Sequence, residues 1–214
     1  MTKRFTNTLY TSLALLIILF AIVGTAKASI SDTLNSVVGI VCVHENKEGT
    51  TIGSGSVVST YQVLTAAHVV IGCKEIEVYY RDGSNFKAQV QFVGEVKVND
   101  VAVLTVFVPE TITPLRISRK PVKYSMPIMS IGMPLGITYV ITHGTVAKPD
   151  FMNDFAFLAD ITVYKGMSGG PLLNNNNEIV GIVSAILSTE EGGSTGFSMM
   201  MRTDNRTGWP EDLR

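Results

Sequence analysis

The sequence lacks an excess of either charge, a long helical pattern and any metal-binding or phosphate-binding motif. Lysine and arginine total 17 residues against 18 for aspartate and glutamate, so the net charge is −1. This balance gives no reason to expect nucleic acid as a partner. Neither zinc-ligand spacing nor phosphate-loop spacing occurs, and we therefore expect no metal and no cofactor. After residue 28, no stretch has the pattern of a long amphipathic helix.

The sequence has instead many short apolar runs separated by turn-forming residues. Nineteen glycines and eight prolines are spread through a chain of 214 residues. This distribution favours many strands and turns over long helices. The length suits one compact enzyme domain or two small barrels that share an interface.

The N-terminus has the pattern of a targeting segment. Lys3 and Arg4 form a positive region, 13–23 is an uninterrupted apolar run, and Ala-Lys-Ala at 26–28 fits the small-residue cleavage pattern. We therefore expect a signal peptide over residues 1–28 and an exported protein, periplasmic or secreted. The alternative is an uncleaved membrane anchor over 9–25, a length near the lower limit for spanning a bilayer.

The chain has only two cysteines, Cys42 and Cys73. An even number in an exported protein permits one disulfide. Two isolated buried thiols are equally compatible with the sequence, because spacing does not show whether the two Cα atoms lie within bridging distance.

A serine framed by glycines is the feature around which the rest of the chain is interpreted. In 166–171 (Gly-Met-Ser-Gly-Gly-Pro) the glycines lack Cβ atoms and tolerate positive φ, so the backbone can turn sharply around Ser168. Such a turn can direct successive backbone N–H groups into one concavity, as an oxyanion hole requires. The simpler alternative is a glycine-rich turn between two strands. Because a serine hydroxyl is a weak nucleophile at neutral pH, the catalytic interpretation requires a base and a group that orients it.

Two further stretches supply candidates for these groups. His68 follows an apolar strand and the small residues Thr-Ala-Ala at 65–67, and Asp100 heads the strongly apolar run 101–106. A buried carboxylate is costly without a hydrogen-bonding partner, and an imidazole N–H is a suitable one. Taken singly, each residue has a structural alternative, a core histidine or a turn aspartate. Together, the order His68, Asp100, Ser168 is one of the known chain orders of a Ser-His-Asp triad.

On these motifs the chain resembles the chymotrypsin-fold (trypsin-like) serine proteases, and within them it is most similar to the HtrA/Deg group. The resemblance extends over most of the chain after residue 28. The stretches that carry it are 65–68, 99–104, 131–136, 166–171 and 181–184. The resemblance implies an all-β fold of two six-stranded antiparallel β-barrels with the active site in the cleft between them. The expected divisions are an N-terminal barrel over 29–112, a linker over 113–124, a C-terminal barrel over 125–205 and a short tail over 206–214.

The resemblance also implies a serine endopeptidase in which Ser168 attacks the peptide bond, His68 acts as base and Asp100 orients the imidazole. The oxyanion hole is expected in the segment Gly166, Met167 and Ser168, with the N–H groups of the first and third as donors. The family usually has Asn or Asp where Met167 stands. In the secreted trypsins that aspartate pairs with a newly cut N-terminus, so trypsin-style activation is not expected here. A PDZ domain is not expected either, because the chain ends soon after the last predicted strand.

By the same resemblance, the specificity pocket is formed by the segment before the serine and the two strands after it. Its candidate residues are Thr162, Val163, Ser184, Ala185, Ile186 and Ser198. None is charged, so we expect cleavage after small or medium aliphatic residues, mainly in unfolded polypeptides. The nearest acid is Asp160, and acidic residues at this position in HtrA-like chains are generally not the specificity group. The resemblance leaves the oligomeric state open.

Two rival functions compete with this interpretation. A protease fold that only binds peptides is suggested by Met167 and by the missing C-terminal domain, whereas a complete triad argues against it. An α/β-hydrolase esterase is suggested because 166–170 fits the G-x-S-x-G pattern. That class requires a helix directly after the serine and the chain order Ser, acid, His, whereas Pro171 and a predicted hairpin follow here.

Overall fold

The computed structural model describes residues 29–44, 49–134, 139–152, 155–188, 194–206 and 209–213. The predicted signal peptide or anchor at 1–28 lies outside the described residues. Within them, no helix combines the length and the apolar character needed to cross a membrane.

The described chain forms two closed antiparallel β-barrels of six strands each. The strands of the first barrel are β1 (Val37–His44), β2 (Thr50–Val57), β3 (Gln62–Thr65), β4 (Cys73–Tyr79), β5 (Asn85–Val93) and β6 (Ala102–Thr105). Those of the second are β7 (Pro127–Gly132), β8 (Val140–Phe151), β9 (Ala156–Asp160), β10 (Pro171–Leu173), β11 (Ile179–Ser188) and β12 (Ser194–Arg202). Around the barrels the strand order is β1-β2-β3-β6-β5-β4 and β10-β11-β12-β9-β8-β7. The expected fold class, with two six-stranded antiparallel barrels, is confirmed.

Short helices occur at the start of the described chain and after β3. Helix α1 (Ile30–Asn35) begins with a capping box in which the Ser29 hydroxyl accepts from the backbone N–H of Asp32. Helix α2 (Ala67–Val70) is a single turn, and a 3-10 turn spans Glu211–Leu213. None of these helices was predicted from the sequence. For α1, the Ser-x-x-Asp spacing was the available signal.

The two barrels are joined by a shared core and by the chain that crosses between them. One buried cluster contains Val57 and Leu64 of the first barrel together with Ile179 and Ile182 of the second. The crossing segment bonds to both barrels, since the backbone N–H of Leu115 donates to Val57 and that of Ser118 donates to Ile179. This close packing keeps the loops at the barrel junction in a constant relation to one another.

The residues after β12 return to the first barrel. Trp209 is fully buried in the shared cluster. Asp212 accepts hydrogen bonds from the Tyr61 hydroxyl at 2.6 Å and from the Gln62 side-chain amide at 2.7 Å. The C-terminal segment is therefore part of the packed structure.

Cys42 and Cys73 form a disulfide in the structure, with their Cα atoms 5.4 Å apart. The bond joins β1 to the first residue of β4, three residues after the end of α2. The disulfide thus joins two strands of the first barrel close to the end of the short helix that carries His68.

Candidate active site

His68 and Asp100 lie together because they follow and precede neighbouring strands. Thr65 at the end of β3 pairs with Ala102 at the start of β6, so the two flanking loops leave the sheet side by side. The backbone N–H of His68 donates to Asp100 Oδ1 at 2.9 Å, and its Nδ1 lies 2.6 Å from Asp100 Oδ2. Two contacts to one carboxylate orient both the short helix and the imidazole ring.

Asp100 is a buried carboxylate whose hydrogen bonds are satisfied. Its side chain is only 2% exposed, and Oδ2 also accepts a hydrogen bond of 2.6 Å from the hydroxyl of Ser184 on β11. Because three donors converge on it, the cost of removing its charge from water is offset. The Ser184 contact also links the second barrel to a carboxylate of the first.

The geometry around Asp100 determines the tautomer of neutral His68. An ionised carboxylate only accepts hydrogen bonds, so Nδ1 must carry the hydrogen that faces Asp100. In the neutral ring this leaves Nε2 with a lone pair and no hydrogen. The His68 side chain is 34% exposed, and a nitrogen in this state can accept a proton from a nearby hydroxyl.

The turn that carries Ser168 packs directly on the end of β3, close to His68 in the chain. The Ser168 carbonyl accepts from the backbone N–H of Ser54 at 2.8 Å. Gly169 has φ of +82°, and a Cβ added there would lie 2.2 Å from Thr65 Oγ1 and 2.7 Å from the Ala66 nitrogen. Only glycine allows this approach, which brings the serine turn against the segment leading into His68.

Ser168 borders the same site as the buried aspartate. It lines a cavity of about 160 Å³ together with Ser184, the residue that donates to Asp100. Among the described residues, none forms a hydrogen bond with Ser168 Oγ, so the hydroxyl is not locked to His68 in this structure. Such contacts are often long without substrate and tighten when it binds.

The backbone before Ser168 has the geometry of a type II turn. The Met167 N–H donates to the Tyr164 carbonyl at 3.0 Å, and Gly166 at the third position has φ of +95°. No described residue accepts a hydrogen bond from the N–H of Gly166 or of Ser168. These two N–H groups are the candidate donors to a developing oxyanion.

Apolar contacts of the Met167 side chain hold this turn in place. Its side chain is fully buried in a second-barrel cluster that includes Leu172 and Val183. Gly132 at the end of β7 leaves the space for it, because a Cβ there would lie 2.9 Å from Met167 Cγ. Where secreted trypsins have a charged anchor, this chain has a hydrophobic one.

The cavity beside Ser168 is lined by uncharged residues and by one charged residue, Lys165. Its lining includes four of the predicted pocket residues, namely Val163, Ser184, Ala185 and Ile186. The lining also includes Tyr164, Lys165 and Val183, which the sequence analysis did not name. Tyr164 and Lys165 directly follow Val163, so their position next to a predicted pocket residue was the available sequence signal.

The other predicted pocket residues lie outside the cavity lining. Thr162 is exposed, and Ser198 is buried with its hydroxyl donating to the Ile161 carbonyl at 3.1 Å. Asp160 is exposed at the end of β9, next to the buried Ala159. It does not contribute a carboxylate to the cavity.

Comparison with known proteins identifies the family of this chain. A family model described as a trypsin-like peptidase domain matches residues 53–182. A probable periplasmic serine endoprotease DegP-like from Halomonas elongata is 32% identical over 175 residues, which are 79% of this chain and 36% of that protein. A probable periplasmic serine protease do/HhoA-like from Haemophilus influenzae is 30% identical over 157 residues, 69% of this chain and 33% of that protein. The chain thus spans about a third of the length of the curated relatives it matches.

Solved structures show the same architecture. The active form of the Rv3671c protease from M. tuberculosis superposes with a TM-score of 0.70 at 26% identity, covering 84% of this chain and 81% of that one. A serine endoprotease from Yersinia pestis has a TM-score of 0.70 at 24% identity, covering 87% and 66%. Because its identity to this chain is only 24%, the Yersinia pestis structure supports the fold alone.

Proposed function

This chain belongs to the trypsin-like peptidases, among the HtrA/Deg-like serine proteases, and from that premise we propose that it is a serine endopeptidase with Ser168, His68 and Asp100 as its triad. The observation that carries the proposal is the pair of contacts from His68 to the buried Asp100 carboxylate. A histidine oriented in this way presents an unprotonated Nε2, which is what a weak serine nucleophile needs.

The proposed reaction is acyl transfer from a peptide bond. His68 Nε2 removes the proton from Ser168 Oγ as that oxygen attacks the carbonyl carbon, and it later gives the proton to the leaving amine. Asp100 keeps its negative charge throughout and stabilises the imidazolium. The N–H groups of Gly166 and Ser168 stabilise the oxyanion, a contribution of about 3 kcal/mol for a donor of this kind. Water then hydrolyses the acyl-enzyme. His68 Nε2 takes a proton from the attacking water and returns it to Ser168 Oγ as the product acid leaves.

Labelling with a fluorophosphonate probe tests the nucleophile directly. Purified protein should be labelled once, at Ser168, and Ser168→Ala should not be labelled. Hydrolysis of casein by Ser168→Ala or His68→Ala should fall by about 10³-fold or more, because triad members act as a unit. Circular dichroism of both variants should match the unsubstituted protein.

Two outcomes would contradict the proposal, one for catalysis itself and one for Ser168 as the nucleophile. A folded protein that binds unfolded casein without labelling or cleavage would favour the binding function over catalysis. Retention of more than about a tenth of the activity in Ser168→Ala would exclude Ser168 as the nucleophile.

We also propose that the substrates are exported, unfolded polypeptides. The relatives from Halomonas elongata and Haemophilus influenzae are named periplasmic serine proteases, and the N-terminal pattern of this chain is that of an export signal. An extended segment can pair with a strand edge in the cleft between the barrels, whereas a folded protein presents few such segments.

For the residue before the cut, the cavity favours an aliphatic side chain of small or medium size. Val163, Ala185 and Ile186 supply apolar surface, and no carboxylate lies in the cavity lining to pair with a cation. Lys165, an exposed residue of the cavity lining, adds a positive charge that repels Lys or Arg of the substrate. Discrimination among Val, Ala, Thr and Leu should be weak, because one methylene changes binding by about 1–3 kcal/mol.

Mapping of cleavage sites in a denatured protein library tests this preference. Mass spectrometry should show cuts after Val, Ala, Thr and Leu. Ser168→Ala protein prepared in parallel identifies cuts made by contaminating proteases. A dominant preference for Lys or Arg would overturn the proposed pocket.

A further inference from the structure

We propose that Ser54 is a positioning residue that holds the oxyanion turn, residues 164–168, in its donor geometry. This inference rests on the proposed function. Ser54 lies on β2 of the first barrel and is fully buried, whereas the turn belongs to the second barrel. Its hydroxyl can therefore hold the first barrel and the oxyanion turn of the second barrel together.

The hydroxyl of Ser54 contacts two separate parts of the second barrel. It donates to the Gly166 carbonyl at 2.7 Å and accepts from the backbone N–H of Met133 at 2.9 Å. The backbone N–H of Ser54 donates to the Ser168 carbonyl at 2.8 Å. Ser54 thus contacts both Gly166 and Ser168, the two residues whose N–H groups are the candidate oxyanion donors.

These contacts fix the peptide unit that separates the two donors. Its carbonyl, from Gly166, is held by Ser54, and its N–H, from Met167, is held by the Tyr164 carbonyl. The N–H groups of Gly166 and Ser168 flank this unit on either side. Because the middle unit is held at both ends, the spacing and direction of the two flanking donors are set before substrate arrives, as oxyanion stabilisation requires.

Packing of the Met167 side chain also holds this part of the turn. The buried Met167 side chain lies against Gly132, and Met133, the next residue, donates to Ser54. The turn is held between a hydroxyl of the first barrel and the apolar core of the second. Both contacts are uncharged, so the arrangement does not depend on an ion pair with a newly cut N-terminus.

Comparison of Ser54→Ala with Ser56→Ala provides a matched test. Both serines lie on β2 and are fully buried, but the Ser56 hydroxyl has no hydrogen-bond partner among the described residues. For Ser54→Ala, kcat should fall about ten-fold while KM stays close to that of the unsubstituted protein, because a hydrogen bond that organises the transition state is lost. For Ser56→Ala, both parameters should be unchanged.

A peptide aldehyde supplies a second readout that a purely structural role would not affect. The aldehyde forms a tetrahedral adduct with Ser168 whose oxygen occupies the oxyanion site. Its affinity should fall by the same factor as kcat/KM in Ser54→Ala, while the affinity of the matching product peptide should not change. Should Ser54→Ala not fold, Ser54→Thr retains the hydroxyl and should be both folded and close to the unsubstituted protein in kcat.

The outcomes distinguish the inference from the function on which it rests. If the unsubstituted protein neither cleaves peptides nor reacts with fluorophosphonate, the proposed function fails. If it is active and folded Ser54→Ala has the same kcat and aldehyde affinity, the positioning role alone is wrong. Equal losses of kcat in the Ser54 and Ser56 variants would also overturn it.

Discussion

At the scale of single residues, the site depends on the absence of a side chain as much as on the presence of one. His68, Asp100 and Ser168 carry the functional groups, but Gly169 allows the serine turn to approach β3. An added Cβ would meet backbone atoms of Ser54 and Ala66 within 2.7 Å. Backbone cannot move aside as a flexible side chain can, so this glycine cannot be replaced without displacing Ser168.

Gly169→Ala should therefore lower stability and abolish activity. Its positive φ costs about 1–2 kcal/mol for a residue with a Cβ, and the clash adds about 1–3 kcal/mol, so the total loss is about 2–5 kcal/mol. Urea unfolding gives the free energy of unfolding, and casein hydrolysis gives the activity.

Gly83→Ala is the matched control for this prediction. Gly83 has φ of +90° in the turn between β4 and β5, and a Cβ there would meet no atom within 4 Å. The stability of Gly83→Ala should therefore fall only by the cost of the positive φ, and its activity should equal that of the unsubstituted protein. Equal destabilisation of the two variants would show that the clash at Gly169 is relieved by movement of the turn.

At the scale of elements, a four-residue helix carries the candidate base. Helix α2 spans Ala67–Val70 and has no side-chain cap, so its own hydrogen bonds contribute little stability. Its position comes from its surroundings. The Asp100 carboxylate holds its start, and the disulfide from Cys42 to Cys73 anchors the chain just after its end.

Removal of the disulfide should destabilise the first barrel. The bond closes a loop with a sequence separation of 31 residues, for which the chain-entropy estimate is about 3–4 kcal/mol. Cys42→Ser combined with Cys73→Ser should lower Tm by roughly 10 °C for a protein of this size. Calorimetry measures the shift.

Reduction of the unsubstituted protein provides the control. Dithiothreitol should lower its Tm to that of the double variant and leave the Tm of the variant unchanged. Mass spectrometry that finds two free thiols in exported protein prepared without reductant would contradict the assignment.

At the scale of the whole molecule, the two barrels behave as one packed body. The crossing segment bonds to both, Trp209 is buried between elements of both, and Asp212 binds the first barrel. The site lies where the barrels meet, because β2, the loops beside β3 and β6, and the serine turn all converge there. Its geometry is a property of the assembled pair of barrels.

The exported protein should begin at Ser29. The cleavage pattern at 26–28 predicts this N-terminus, and Ser29 is also the N-cap of α1, with its backbone N–H 3.3 Å from Asp32 Oδ2. A new amino group at Ser29 would lie beside that carboxylate, so cleavage leaves the helix cap intact. N-terminal sequencing of exported protein checks the prediction, and an intact chain starting at Met1 in the membrane fraction would favour the anchor.

Local sequence was sufficient to predict a chain of many short strands and to indicate His68, Asp100 and Ser168 as candidates, because alternation of apolar runs with turn residues is a local property. The apolar run after Asp100 indicates a buried strand, and the glycines around Ser168 indicate a sharp turn. Both patterns lie within a few residues of the candidate side chain. The resemblance to a known family then supplied the two barrels. The same local signals did not predict α1 or α2, since short helices depend on capping and on contacts with other elements.

The distances between residues far apart in the chain depend on the tertiary structure. Pairing of Thr65 with Ala102 brings His68 and Asp100 together across 32 residues. Ser54 meets Gly166 across 112 residues, and the Cys42–Cys73 bond forms because β1 and β4 pair. The sequence alone indicated the candidate residues of the triad. Closure of the barrels determined their distances, because strand register and packing between barrels depend on the whole chain and not on any one stretch of it.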